Sequence, residues 1–394
     1  MDLIFFLTLL LAGLFCLFAF GLVHRQIHIW FWSYLRHGRR VNKIHPVKSP
    51  IHIMFCFVDH YEPYTGGTND EHAKKRVDRW VRDYPVLARR FRDADGRPPV
   101  HGFFYPEEEY RPELVDSIAK LCQQGFGEIE IHLHHDNDTA DKLRTKLKGF
   151  LRVLDERHGA VSKVNGSYRY AFIHGNWALD NSRADGRWCG VNNELIVLRD
   201  TGCYADFTLP SAPSDTQTRT VNSIYYATDD PLRPKSHDTG QCMKAGGSPV
   251  GDLLIFQGPL ALNWRYRRFG IWPRVENGDI APCDIPIEGR VDLWVRQHIH
   301  VHERPEWIFI KVHTHGAIEE NADFLFGGEL ERLFSHLEHR YNDGSKYRLH
   351  YVTTREAYNI AKAAEAGLTG NPNSYRDYQI PAPPMLSKSG ARTE

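Results

Sequence analysis

The stretch IHIMFCFVDHYE, residues 51–62, sets an almost wholly apolar run, Ile51–Val58, directly before Asp59, His60 and Glu62. A run of that length, rich in β-branched and aromatic residues, predicts a strand buried on both faces, as the central strands of parallel sheets are. A carboxylate at the end of such a strand is costly unless it is paired, hydrogen-bonded or bound to a metal. Asp59 is therefore the first candidate for a functional position.

The pattern recurs along the chain. Further strands are expected at Val100–Tyr105, Glu128–Leu133, Tyr168–His174, Cys203–Phe207, Ser223–Thr228, Leu253–Gln257, Trp307–Val312 and Tyr347–Val352. Helical patterns lie between them at Glu71–Asp83, Pro112–Gln124, Thr139–His158, Asn192–Arg199, Val291–His298, Gly328–Tyr341 and Thr354–Ala366. Gly125 fits a C-cap, and Asp138 and Thr354 fit N-caps. Strands alternating with helices imply a mostly parallel sheet with crossover helices, and an α/β barrel is the architecture expected over residues 51–370. The Ser-, Thr-, Pro- and Gly-rich stretch 211–251 reads as a long loop over the domain face, and residues 371–394 as a flexible tail.

Ionisable and amide groups gather where these strands end. Glu107–Glu109 follow the second strand, and His132, His134, His135 and Asp136 close the third. His174, Asn176 and Trp177 close the fourth, Asp206 lies in the fifth, and His313 and His315 follow the run at 307–312. In an α/β barrel these ends converge on one face, where active sites sit. In EIEIHLHHD, residues 128–136, strand alternation puts His132 and His134 on one face, and two imidazoles beside a carboxylate suit a divalent metal such as zinc. His313 and His315 repeat that spacing and suit ligands or a general acid near neutral pH. His298–His302 reads as a solvated helix end, because positions i and i+2 do not share a helix face. Glu107–Glu109 reads as a solvated turn, and Trp177, Trp264 and Trp272 are the aromatics placed to line a sugar cleft.

The chain has 394 residues, and its Lys and Arg balance its Asp and Glu at 49 each. There is no global basic field, so nucleic acid is not an expected partner. Seven Cys at 16, 56, 122, 189, 203, 242 and 283 form no CxxC pair, and free buried thiols are expected, with Cys189 and Cys203 the pair to consider for a bridge. Leu3–Val23 carries no charge and is about the length of a membrane span, so residues 1–24 are expected to form a transmembrane anchor. Residues 25–50 read as a basic and aromatic juxtamembrane linker with Arg25, Arg36, Arg39, Arg40, Lys43 and Lys48, which places the rest of the chain on the cytoplasmic side of a cell (inner) membrane.

The order of these motifs resembles the polysaccharide deacetylases, carbohydrate esterase family four. Asp59 in FCFVDHYEP occupies the place of that family's first motif, and Glu128-Ile129-Glu130-Ile131-His132 matches the first half of its second. Gly202–Asp206, the strand ending in His313 and the closing YVTTREAYNIA resemble its later motifs. The resemblance implies a distorted (β/α) barrel that removes N-acetyl groups from amino sugars with a divalent metal. It implies Asp59, His132 and either His134 or Asp136 as metal ligands. The water-activating base would be His60 or Glu62, because Val58 stands where the family carries a second Asp. His313 or His315 would protonate the leaving amine, and His174, Asn176, Trp177 and Asp206 would face substrate. Residues 171–180 depart plainly from the family's groove motif. The other readings are an amidohydrolase-like metallohydrolase, a glycoside hydrolase using paired carboxylates, and an inactive carbohydrate-binding homologue. An N-acetylated polysaccharide or lipid-linked glycan is the expected partner.

Overall fold

The computed structural model describes residues 3–44, 50–282 and 287–387. Residues 45–49 of the expected 25–50 linker, Lys48 among them, Cys283 and the tail beyond 387 lie outside the described residues. Strands run in the order β1 Ile51–His60, β2 His101–Pro106, β3 Gly127–Leu133, β4 Ser162–Val164, β5 Ser167–His174, β6 Cys203–Asp206 and β7 Ile224–Ala227. They continue with β8 Gln241–Cys242, β9 Leu253–Phe256, β10 Ala261–Arg268, β11 Trp272–Glu276, β12 Trp307–Thr314 and β13 Tyr347–Tyr351. The helices are α1 Leu3–His24, α2 Ile27–Val41, α3 Asp70–Ala88, α4 Pro112–Leu121, α5 Ala140–His158 and α6 Glu194–Thr201. After them come α7 Ile287–Gln297, α8 Glu319–Phe324, α9 Leu330–Tyr341, α10 Thr354–Glu365 and α11 Pro384–Ser387.

The apolar run opening the fold fills the centre of the sheet. β12 pairs with β1 in parallel from His52 to Asp59, while β13 and then β2 share its other edge. The parallel order continues β2-β3-β5-β6-β9, and β7 and β8 add antiparallel at the far end. Both faces of β1 are buried, which is why it shows no polar alternation. Ile53, Phe55 and Phe57 pack outward against Val77, Trp80 and Tyr84 of α3 and Leu333 of α9. Met54, Cys56 and Val58 turn inward to Phe104, Ile173, Phe256 and Phe309, where α10 adds Ala357, Ile360 and Ala361. Each large apolar side chain buried this way contributes about 1.5–3 kcal/mol.

The result is a mixed α/β fold on a parallel sheet. Among the described residues β9 and β12 share no ladder, so closure into a barrel is not seen. Side chains bridge the gap instead. The Phe256 and Phe309 rings lie 5.4 Å apart, and Lys311 Nζ donates to the Phe207 carbonyl at 2.8 Å. Helix starts fall one residue from expectation: Thr139 caps α5, and Thr353 caps α10 through a capping box with Glu356. Gly125 ends the α4 region with φ +87°, where a side chain would be strained. The segment after 371 packs down, with Ile380 and Met385 buried and Arg355 donating to the Arg376 and Ile380 carbonyls.

The N-terminal expectation is corrected. α1 is helical, but among the described residues no helix is long and apolar enough to cross a membrane. The anchor at 1–24, the inner-membrane localisation and the cytoplasmic placement drawn from the basic residues are overturned. Protein contacts take the C-terminal end of α1. Gly21 lies so close to Trp272 that a Cβ there would stand 2.6 Å from its ring, and Leu22 packs beside Ile27 and Trp30. α2 then docks Ile27 and Trp30 against Leu260, Leu262 and Val275, around a β10–β11 hairpin that the sequence pattern did not reveal. Trp264 and Trp272 belong to that hairpin.

Candidate metal centre

Three strand ends build the centre. His60 ends β1 with its ring on the inner face, continuing the parity of Met54, Cys56 and Val58. His132 lies near the end of β3 and His134 just beyond it, while His313 and His315 come from the end of β12. Ring centroids lie 5.0 Å apart for His60–His132, 4.6 Å for His60–His315, 5.9 Å for His60–His313 and 4.6 Å for His132–His134. Two carboxylates enter from neighbouring loops. Glu62 Oε1 lies 3.1 Å from His132 Nε2 and 3.6 Å from His134 Nε2, and Glu108 Oε1 lies 2.5 Å from His134 Nδ1.

The protonation of His132 follows from its neighbours. Its Nδ1 lies 2.8 Å from the Ile173 carbonyl, which can only accept, so Nδ1 carries the proton. In the neutral ring Nε2 then turns a lone pair toward the Glu62 carboxylate. Two facing acceptors need a cation between them, either a proton or a metal. A metal-ligating His commonly donates its other ring N–H to a carbonyl in this way. His60, Glu62 and His132 offer ligand atoms within 4.8 Å of one another, so this donor set fits a divalent ion.

Electrostatics favour the same reading. Burial, then the neighbouring His315, His132 and His313 rings, push the His60 imidazole well below its usual range, leaving it neutral as a ligand must be. Burial acts to raise the Glu62 carboxyl, but hydrogen bonding to His132 and the nearby imidazoles hold it at about 2. Burial acts to lower His134, yet the Glu108 hydrogen bond and the Glu62 charge raise it overall. Burial, then Lys311, push His313 well below its usual range.

The other expected site residues lie elsewhere. Asp59 has the opposite parity to His60, and its carboxylate accepts from Gly316 N at 2.7 Å and meets His101 Nε2 at 2.9 Å. It ties β1 to the turn after β12 and stays outside the ligand trio. Asp136 caps a loop, accepting from Asn137 N and Trp188 N. Asp206 accepts from the Thr208 amide and hydroxyl. Asn176 and Trp177 follow β5 with φ of +55° each, and the Trp177 ring stands edge-on to His315 at 6.5 Å. His174 lies in a separate buried group with His135, Cys189 and Glu194, whose atoms also approach closely enough to hold a metal. A third such group, Asp93, Asp95 and His350, is already paired with the Arg376 guanidinium at 3.4 and 3.5 Å from the two carboxylates.

Sequence reasoning missed Glu108, which sits in the acidic run read as a solvated turn, and it missed Cys189 and Glu194 as partners of His135 and His174. For Glu108 the signal was its place after β2, next to the histidine-rich end of β3. Cys16, Cys56, Cys122, Cys189, Cys203 and Cys242 are all free, so Cys189 and Cys203 form no bridge.

No known protein-family profile matches the chain. No curated protein matches it either. Among solved structures it is similar to a candidate glycoside hydrolase/deacetylase from Parabacteroides distasonis, at 11% identity over 81% of this chain and 71% of that one, with a TM-score of 0.42. A likeness this loose says nothing about chemistry, which rests on the side chains described above.

Proposed function

We propose that this chain is a metal-dependent hydrolase that removes N-acetyl groups from an amino-sugar glycan. The observation that carries the metal is the His132 ring, whose Nδ1 is committed to a carbonyl while Nε2 faces the Glu62 carboxylate at 3.1 Å. The acyl-sugar substrate is supported by the order of motifs that resembles the polysaccharide deacetylases. His60, Glu62 and His132 would hold the metal. When bound, it supplies Lewis acidity for the acyl carbonyl and lowers the pKa of water toward neutrality.

The chain's own groups would move the protons. His134 donates from Nδ1 to Glu108, and its raised affinity for a second proton lets Nε2 hold one for the leaving amine. His315 lies beside His60 with ring centroids 4.6 Å apart, half-buried, and would face the leaving group from there. His313 is buried behind it, and the backbone of that residue anchors the Gly278–Ile280 loop. Trp177 would form a wall against the sugar ring beside His315.

The test is acetate release from N-acetylated amino-sugar oligosaccharides by the full chain, before and after chelation, together with the metal content of His132→Ala. Activity that is lost on chelation, restored by a divalent metal and absent in His132→Ala, which also holds less metal, is expected. Unchanged metal in His132→Ala, or activity that survives complete chelation, would sink the assignment.

A further inference from the structure

Behind the candidate centre lies a second group that is wholly closed to solvent. His135 is the second residue beyond β3, His174 ends β5, Cys189 lies on the loop between β5 and α6, and Glu194 opens α6. The side chains of His135, His174 and Glu194 are 0% exposed, as is Cys189. One ligand atom from each of the four lies within 4.8 Å of all the others.

The His174 tautomer points a lone pair inward. His174 Nδ1 lies 2.5 Å from the Gly175 carbonyl and must carry the proton. Its Nε2 is buried with no hydrogen-bond partner and lies 3.5 Å from Glu194 Oε1. His135 turns Nδ1 toward Asp138 Oδ2 at 3.2 Å and Nε2 toward the same Glu194 Oε1 at 3.2 Å. The Cys189 sulfur is 3.3 Å from Glu194 Oε2. A carboxylate, a thiol and two imidazole nitrogens thus converge on one point. Leaving a lone pair such as that of His174 without a donor in a dry interior is costly.

We propose that His135, His174, Cys189 and Glu194 form a closed structural zinc site, separate from the His60–Glu62–His132 centre. The donor set suits the ion. One soft thiolate, two borderline imidazoles and one hard carboxylate are all ligands that zinc accepts, in tetrahedral number with no position left for solvent. The thiolate and the carboxylate together balance the charge of a dication, so no net charge is buried in the four-ligand site. Tetrahedral zinc places ligand atoms of this set about 3.3–3.6 Å apart, close to the 3.5 and 3.2 Å that separate Glu194 Oε1 from His174 Nε2 and His135 Nε2. Binding would expel the Cys189 proton.

The site has a structural task. It would join the ends of β3 and β5 to α6 and so anchor both ends of the loop over residues 175–193. That loop holds Asn176, Trp177, Asp180, Asn181 and Trp188 at positive φ, conformations that persist when surrounding contacts fix them. It also carries Trp177 to His315. The zinc would therefore shape one wall of the neighbouring centre without touching substrate. Zinc would bind here whatever reaction the first centre performs.

The full-length chain loaded with cobalt(II) reports on the site directly. A thiolate-to-cobalt charge-transfer band and strong tetrahedral visible bands are expected in the wild type. The charge-transfer band should persist in His132→Ala, in Cys16→Ser and in Cys242→Ser, and vanish in Cys189→Ser with loss of about one equivalent of metal. A second measurement needs no folded variant. Mild chelation of the zinc-loaded wild type should expose one new thiol to alkylation, mapped by mass spectrometry to Cys189. A wild type without the charge-transfer band, a band that survives Cys189→Ser, or alkylation mapped only to other cysteines would overturn the proposal.

Discussion

Asp59 is where two readings of one residue separate by experiment. As a metal ligand, its replacement by Asn would empty the centre. The structure gives it other work: the carboxylate accepts from Gly316 N at 2.7 Å and meets His101 Nε2 at 2.9 Å, with both side chains fully buried. The fit is tight, since a Cβ on Gly316 would lie 2.4 Å from Asp59 Oδ2 and equally close to Trp80. Trp80 Nε1 in turn donates to the Gly316 carbonyl at 2.7 Å. Hydrogen bonds to a charged group contribute about 1.5–3 kcal/mol each, so Asp59→Ala is expected to cost about 3–6 kcal/mol. Asp59→Asn keeps an oxygen for the Gly316 amide and weakens the His101 contact, at about 1.5–3 kcal/mol. Against a total stability of about 5–15 kcal/mol the second change leaves a folded chain. Urea unfolding followed by tryptophan fluorescence gives the stability, and elemental analysis gives the metal. Asp59→Asn should keep wild-type metal and unfold at lower urea. An Asp59→Asn chain with wild-type stability and no metal at the first centre would refute the reasoning.

Acid should loosen α2 through histidines that burial keeps neutral. His37, His298 and His302 are each lowered from 6.5 to about 4, chiefly by burial, and the His37 ring bonds the Gln297 carbonyl at 2.6 Å. The unfolded chain takes up these protons first, so the stability is full above about 6.5 and is lost as pH falls toward about 4, with a slope of up to about 1.4 kcal/mol per pH unit for each ring. His37→Gln should flatten the dependence of the urea midpoint on pH in that window, and an unchanged slope would contradict the assignment. Arg355→Met leaves the Glu128 carboxylate buried without its bidentate partner, and should cost about 3–5 kcal/mol. Arg355→Met should also open the segment after 371 to limited proteolysis, and Arg355→Met with Glu128→Leu should recover much of the loss. In Gly175→Ala the new Cβ would meet His134 Cδ2 at 2.3 Å and the Leu133 carbonyl at 2.8 Å. The displaced His134 should lower kcat on the order of 100-fold while metal remains bound at the first centre, as read by steady-state kinetics and elemental analysis.

The sequence alone determined the α/β character of the chain, the central place of Ile51–Val58 and the strand ends where chemistry-bearing residues collect. These follow from local patterns: a two-face-buried strand reads as a continuous apolar run, and helix periods differ from strand periods. His132, His134, His313 and His315 were legible because strand alternation still holds where they stand. Tertiary structure decided the rest. At the tip of β1 one residue of parity separates Asp59 from His60, and only the pairing of β1 with β12 and β2 fixes which one faces the cluster. Glu108 was hidden because an acidic turn looks the same whether it meets solvent or an imidazole 26 positions away. The apolar segment at 3–23 shows the same limit: its composition suggests a span, while the packing of Gly21 and Leu22 is a matter of neighbours distant in sequence. The group of His135, His174, Cys189 and Glu194 is the extreme case. Its four ligands are spread over 59 positions and share no spacing motif, so only the approach of β3, β5 and α6 brings them to one point.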